Sequence, residues 1–171
     1  MTPTRTRTLS AMAVLLLTAL SACTLRPLYS GGSQGAAGQM LGATEIAPIS
    51  GKAGWLMRDA LIQRLGAVRQ GQVRYRLEVE LDDQITGFGI RRDAGITRER
   101  RTLRARYRLI DVASGNIILD ATAGSDAGID VVSSEYATVA AESTALENLS
   151  STVADQIIAR LAQQARSQPG Q

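Results

Sequence analysis

The chain has 171 residues, with 19 lysines and arginines against 16 acids, no histidine and a single cysteine. With no imidazole and one thiol it cannot build a Ser-His-Asp or Cys-His nucleophile pair, an imidazole or multi-thiolate zinc site, or a haem site of the common types. That composition points away from an enzyme and from any cofactor.

At the N-terminus, Arg5 and Arg7 precede an uncharged apolar run from Leu9 to Leu20. The run covers about 12 residues where a membrane-spanning helix needs roughly 20, so residues 1–22 read as a secretory signal peptide and not as an anchor. It ends in Leu20-Ser21-Ala22-Cys23, which resembles the bacterial lipobox. The resemblance implies that the Cys23 thiol takes a diacylglyceryl thioether and that the chain is cut before it. As the sole cysteine, Cys23 cannot pair within the chain, and a free thiol suits an oxidising compartment poorly. Several acyl chains, at ~0.8 kcal/mol per buried methylene, make a stable anchor. Cleavage removes two basic residues and leaves 17 against 16 acids. A nearly neutral mature chain is not a general nucleic-acid binder.

Beyond Thr24-Leu25-Arg26-Pro27-Leu28-Tyr29 lies a glycine-rich stretch from Ser30 to Gly42, so residues 23–42 are expected as a lipidated flexible tether. The folded domain is then expected over 43–166, with 167–171 a disordered tail. Ala43 to Ile49, with Pro48 near its end, suits an edge strand. From Trp55 to Val68 the apolar residues Met57, Leu61, Leu65 and Val68 fall on one helical face. The period then becomes two. Tyr75, Leu77, Val79 and Leu81 alternate with Arg76, Glu78, Glu80 and Asp82, and Leu103, Ala105, Tyr107 and Leu109 alternate with Arg104, Arg106 and Arg108.

These are two strands with one buried and one wet face. Paired as a hairpin around a loop at Gly87 to Ile96, the acids of the first face the arginines of the second, each pair contributing roughly 0.2–1 kcal/mol. Asp111 to Asn116 is a polar turn into a third strand from Ile117 towards Asp130. From Ser133 to Gln164 there is no glycine or proline; Ala141, Ala145, Leu149, Val153, Ile157 and Leu161 step by four, behind the candidate caps Ser133 and Ser134. The expected fold class is α+β: a two-layer sandwich with two helices packed on one face of a roughly four-stranded sheet, in the order β-α-β-β-β-α. The other face is arginine-rich and wet.

Few residues offer chemistry. Glu78, Glu80, Asp82 and Asp83 sit at strand spacing with arginine neighbours, as a solvated strand face does. Gly31 to Gly35 and Gly87-Phe88-Gly89 lack the strand-to-helix context of a phosphate loop. The densest feature is basic: Arg91, Arg92, Arg98, Arg100 and Arg101 lie within eleven positions, offset only by Asp93 and Glu99. Guanidinium groups meet phosphates through bidentate bonds. A solvated face, or a surface matched to acidic residues of a partner, stands as the alternative.

Taken together, Cys23 followed by Arg26-Pro27-Leu28-Tyr29, the helix Trp55-Leu56-Met57-Arg58-Asp59-Ala60-Leu61, the strand Tyr75-Arg76-Leu77-Glu78-Val79, Thr97-Arg98 leading to Tyr107-Arg108-Leu109, the Asp111 to Gly115 turn and Tyr136-Ala137 resemble the lipopolysaccharide-assembly lipoprotein family, LptE. The resemblance spans the mature chain. It implies an outer-membrane, lipid-anchored, periplasm-facing protein that plugs a large β-barrel translocon of the LptD type, assists its assembly and helps deliver lipopolysaccharide to the cell surface. Thr24, following Cys23, is not the aspartate that retains lipoproteins at the inner membrane. The alternatives are a pilotin-like accessory of another outer-membrane pore and a scaffold for a soluble periplasmic partner. On the lipobox reading, Cys23→Ser leaves the protein uncut or releases it from the membrane. Mass spectrometry of the mature N-terminus checks this, and an unmodified thiol on a correctly located protein contradicts it.

Overall fold

A period of two splits a strand's side chains between a core face and an outer face, and a period of 3.6 builds the helices that cover the core face. The computed structural model describes residues 34–66, 71–90 and 96–167. Its elements are α1 (Ala36–Gly42), β1 (Thr44–Ile46), α2 (Gly51–Gly66), β2 (Tyr75–Ile90), β3 (Ile96–Asp111), β4 (Ile117–Asp130) and α3 (Glu135–Ser167). The strands form one sheet in the order β1-β2-β3-β4. β1 runs parallel to β2, and the other neighbours are antiparallel. A parallel pair needs a crossover, which α2 supplies. The fold is a mixed α+β sandwich with its helices packed on the sheet, and β1 takes the edge position that Pro48 suggests.

Two expectations are corrected. Gly87 to Ile90, and Ile96, expected in the hairpin loop, belong to strands β2 and β3. The stretch assigned to the tether contains helix α1, so the element order is α-β-α-β-β-β-α and the folded domain begins well before Ala43. Ala37, Met40 and Leu41, at i, i+3 and i+4, are buried in the common core. Burying a Met or a Leu side chain stabilises by about 1.5–3 kcal/mol, enough to hold a short glycine-containing helix that would not form alone. α2 starts at Gly51, four residues ahead of Trp55, and ends at Gly66; Val68 lies outside the described residues, as do Cys23, the signal segment and residues 168–171.

The core takes its register from the odd-numbered residues of β2 and β3. Leu77 lies opposite Leu109 and Val79 opposite Tyr107, and Leu77, Leu103 and Leu109 are fully enclosed. Burial raises the Tyr107 hydroxyl's pKa above its ordinary value. α3 covers this surface with Ala145, Leu149, Val153, Ile157 and Leu161, joined by Leu146, Ala154 and Ile158 on the adjoining row. Ser134 Oγ accepts from the Ala137 amide at 3.4 Å, the capping role expected of it. α2 lies parallel to α3: Lys52 Nζ donates to Ser143 Oγ at 3.2 Å. Twelve residues further along each helix, Arg64 Nε donates to Asp155 Oδ1 at 2.6 Å. That bond holds the Asp155 carboxyl below the usual carboxylate range. At the β3–β4 turn, Asp111 Oδ1 accepts from the amides of Ala113 and Ser114 at 3.1 and 2.9 Å, and Gly115 takes the left-handed conformation at φ 72° that closes it.

If the odd-numbered side chains of β3 carry the core, Leu103→Ala costs about 2–5 kcal/mol. The change Glu78→Gln on the outer face costs under about 1 kcal/mol. Urea melts of the two variants check the contrast, and equal losses contradict the register.

Candidate functional site

Even-numbered residues of β2, β3 and β4 form the outer face of the sheet, which no described helix covers. The register sets Glu78 opposite Arg108, Glu80 opposite Arg106 and Asp82 opposite Arg104, as the alternation anticipates. β4 adds a second acidic column, with Asp120 opposite Arg108 and Asp130 opposite Arg98. The bonds run in both directions from β3. Arg108 Nη2 donates to Glu78 Oε2 at 3.1 Å, Arg106 Nη2 to Asp120 Oδ2 at 2.8 Å and Arg98 Nε to Asp130 Oδ1 at 3.0 Å. Arg106 thereby holds the Asp120 carboxyl below the usual range. The face is acidic, basic and acidic from strand to strand, so its many arginines leave little net charge.

The structure divides the five arginines singled out in the sequence. Arg91 and Arg92 lie outside the described residues. Arg98 and Arg100 stand on the open face; Arg100 reaches Asp126 at 3.9 Å and stacks over the Phe88 ring at 5.4 Å. Arg101, of opposite parity, points under the helices and does not join them. Its Nε and Nη2 donate to the two Asp83 oxygens at 2.8 and 2.6 Å, and its Nη1 donates to the Glu142 carbonyl at 2.8 Å. With only 12% of its side chain exposed, it is a strap between the hairpin and α3 and has no free donor fork to offer a phosphate. The Asp83 bond raises its pKa further above the ordinary arginine value.

The arginine that sequence reasoning passed over is Arg104. Among the described residues it makes no ion pair, and its side chain lies across Gly124 of β4, where an added Cβ would come within 2.5 Å of Nη1. The signal was available on the β4 side alone, since the β4 position opposite Arg104 is Gly124 and not an aspartate, while Asp82 opposite it on β2 accepts from Gln84 instead. Three of the four carboxylates noted in the sequence are ion-pair partners, Glu78 and Glu80 with Arg108 and Asp83 with Arg101, and Asp82 accepts from Gln84 Nε2 at 3.0 Å. Among the described residues no cluster of acids is placed to hold a metal ion, and no helix is long and apolar enough to cross a membrane.

Comparison with known proteins follows the same lines. The lipopolysaccharide-assembly family model, LptE, matches residues 41–161. A crystal structure described as a lipoprotein from Caulobacter crescentus CB15 is similar at a TM-score of 0.64 and 21% identity, covering 77% of this chain and 97% of that one. The minor lipoprotein of Acinetobacter baumannii is similar at a TM-score of 0.58 and 16% identity, over 71% of this chain and 91% of its own. The rare lipoprotein B of Shewanella oneidensis gives 0.51 at 11% identity, over 72% and 96%. These likenesses describe the fold. No curated protein matches the sequence.

The Arg101 strap has a measurable consequence. Arg101→Gln leaves Asp83 without its cation and removes charge-assisted bonds, costing about 2 kcal/mol. Faster amide exchange in the distal halves of β2 and β3, with the exchange at Leu77 and Leu109 unchanged, is the expected pattern. Uniform loss across the sheet would mean that the strap is not local.

Proposed function

Because this chain belongs to LptE, the non-enzymatic lipopolysaccharide-assembly family, we propose that it acts as an outer-membrane lipoprotein, anchored through Cys23, that plugs and helps assemble the β-barrel lipopolysaccharide translocon and assists delivery of lipopolysaccharide to the cell surface. The observation that carries this reading is the size and polarity of the sheet. β2 and β3 each run 16 residues, about 50 Å at 3.3 Å per residue. That exceeds the ≈ 40–45 Å thickness of a bilayer with its headgroups. A domain of that height can occupy a barrel lumen from one mouth to the other, and its open face of matched charges suits a wet, polar lumen wall.

On this reading the tether is shorter than the sequence suggests. α1 is part of the core, so about ten residues lie between Cys23 and the first described residue, Gln34, a reach of at most ~3.3–3.6 Å each. The anchor then holds the domain close to the membrane it serves. Contact with lipid phosphates falls to Arg91, Arg92, Arg98 and Arg100; Arg101 is engaged internally. Arg98 and Arg100 are each more than half exposed, so a phosphate can reach them, in competition with Asp130 and Asp126.

Two measurements test the proposal. Detergent-solubilised outer membrane should yield this protein together with a large β-barrel of lipopolysaccharide assembly; recovery with a different secretion pore, or with a soluble partner alone, contradicts it. Arg98→Glu with Arg100→Glu should weaken lipopolysaccharide binding about tenfold at low salt, the equivalent of one charge-assisted bond. Unchanged lipopolysaccharide binding with loss of the barrel would identify this region as a protein-docking surface.

A further inference from the structure

β4 is the outer strand of the sheet on the side away from β1. In an antiparallel ladder, residues alternate between those whose N–H and C=O both face the partner strand and those whose groups face away. Val131 N–H, just past the end of β4, donates to Thr97 O of β3 at 3.0 Å, so odd-numbered residues at this end face inward and even-numbered ones face out. Helix α3 guards part of this outer edge. Gln156 Oε1 accepts from the outward Gly124 N–H at 3.2 Å, and Gln164 Nε2 makes a longer contact of 3.5 Å with Ile118 O.

The guard stops at Gly124 because α3 crosses the sheet obliquely. At Gln156 it lies beside the β4 edge, whereas nearer its start, at Glu142, it lies over β3, where the carbonyl accepts from Arg101. From Asp126 to Asp130 the outward amides and carbonyls of Asp126, Gly128 and Asp130 have no partner among the described residues, and all three residues are exposed. Among the described residues the charges of Asp126 and Asp130 are the one protection of this stretch, with no lysine, no proline and no covering loop. A Cβ added at Gly128 would meet open space.

We propose that the β4 edge from Asp126 to Asp130 accepts an extended segment of a partner polypeptide as a fifth strand, one carrying arginine or lysine at alternate positions. Backbone pairing provides the attachment, as in other cases of strand addition. The charge pattern selects the occupant. At this end the outer face is uncharged on β2, with Gln84, Thr86 and Phe88, basic on β3, with Arg98 and Arg100, and acidic on β4, with Asp126 and Asp130, so a basic strand continues the β3–β4 alternation, and opposite charges across strands stabilise the pair. A second copy of this chain is disfavoured, because pairing β4 with β4 sets aspartate against aspartate. The site goes beyond lipopolysaccharide handling, and its test contains no lipid A.

The probe is a fluorescein-labelled peptide of about nine residues, Thr-Arg-Val-Arg-Val-Arg-Val-Arg-Thr, near the length of one strand, titrated with the full-length protein in detergent and followed by anisotropy. Saturable binding is expected, weakened about tenfold when glutamate replaces arginine in the peptide, and likewise when its alternate amides are N-methylated, a loss of one or two backbone bonds. In the protein, Gly128→Pro removes one outward donor while leaving the inward ladder to β3 intact, and should weaken binding by a similar factor; Gly128→Ala should bind like wild type. Should Gly128→Pro fail to fold, the N-methylated peptide against wild-type protein decides the matter. Equal affinity for the N-methylated peptide overturns strand addition, and equal affinity for the glutamate peptide overturns the basic occupant. No binding of the arginine peptide at millimolar protein overturns the site, as does a dimer in sedimentation that Gly128→Pro dissolves.

Discussion

Successive strand residues point to opposite faces, so a one-residue slip between β2 and β3 would expose Leu77, Leu103, Tyr107 and Leu109 and drive arginines beneath the helices. Burying one arginine without a partner costs more than all the outer-face ion pairs return, since exposed pairs contribute a few tenths of a kcal/mol each. A two-residue slip is a finer matter. It preserves the faces and still leaves Glu78 and Glu80 opposite arginines, at Arg106 and Arg104, so the outer charges do not reject it. The enclosed shapes do: Tyr107 beside Val79 and Leu109 beside Leu77 fill the space under α3 in one register. The core chooses the register, and the charges make the exposed side soluble and specific once it is chosen.

The two strands were legible because their alternation is unbroken over four apolar positions each, and α3 was legible because its apolar residues step by four without interruption. α1 was not, although Ala37, Met40 and Leu41 carry a helical spacing. The stretch from Gly35 to Gly42 holds three glycines among eight residues, and a glycine in a helix interior costs about 1 kcal/mol. Local propensity therefore reads the segment as a linker. Tertiary burial against α3 reverses that balance, and no local window contains α3.

Arg101 parts from Arg98 and Arg100 for a reason visible in its numbering. Arg98 and Arg100 share the parity of Arg104, whereas Arg101 shares that of Leu103, so a strand must send it to the core side. What the numbering could not supply was its partner: Asp83 lies diagonally across the β2–β3 pair, and Glu142 comes from a helix 41 residues away. Arg104 was hidden for the complementary reason. Its freedom depends on Gly124, a residue with no side chain to attract notice, lying opposite it on β4.

An open face whose arginines already have carboxylate partners behaves differently from a bare basic patch. A phosphate arriving at Arg98 or Arg100 has to displace Asp130 or Asp126, so only the difference between a guanidinium–phosphate and a guanidinium–carboxylate contact favours binding. Both contacts are solvent-exposed, and screening weakens them together. Affinity for an anionic ligand is therefore held low at Arg98 and Arg100, and non-specific attraction to the anionic surroundings of a membrane is weakened there too. For a protein proposed to pass a multiply phosphorylated lipid through a barrel, that balance favours handing on over holding, because a face binding each phosphate at full strength would retain its cargo. The displaced Asp126 is also the residue at which the unguarded β4 edge begins, so the same carboxylates that moderate phosphate contact on one side prepare the edge for a basic strand on the other.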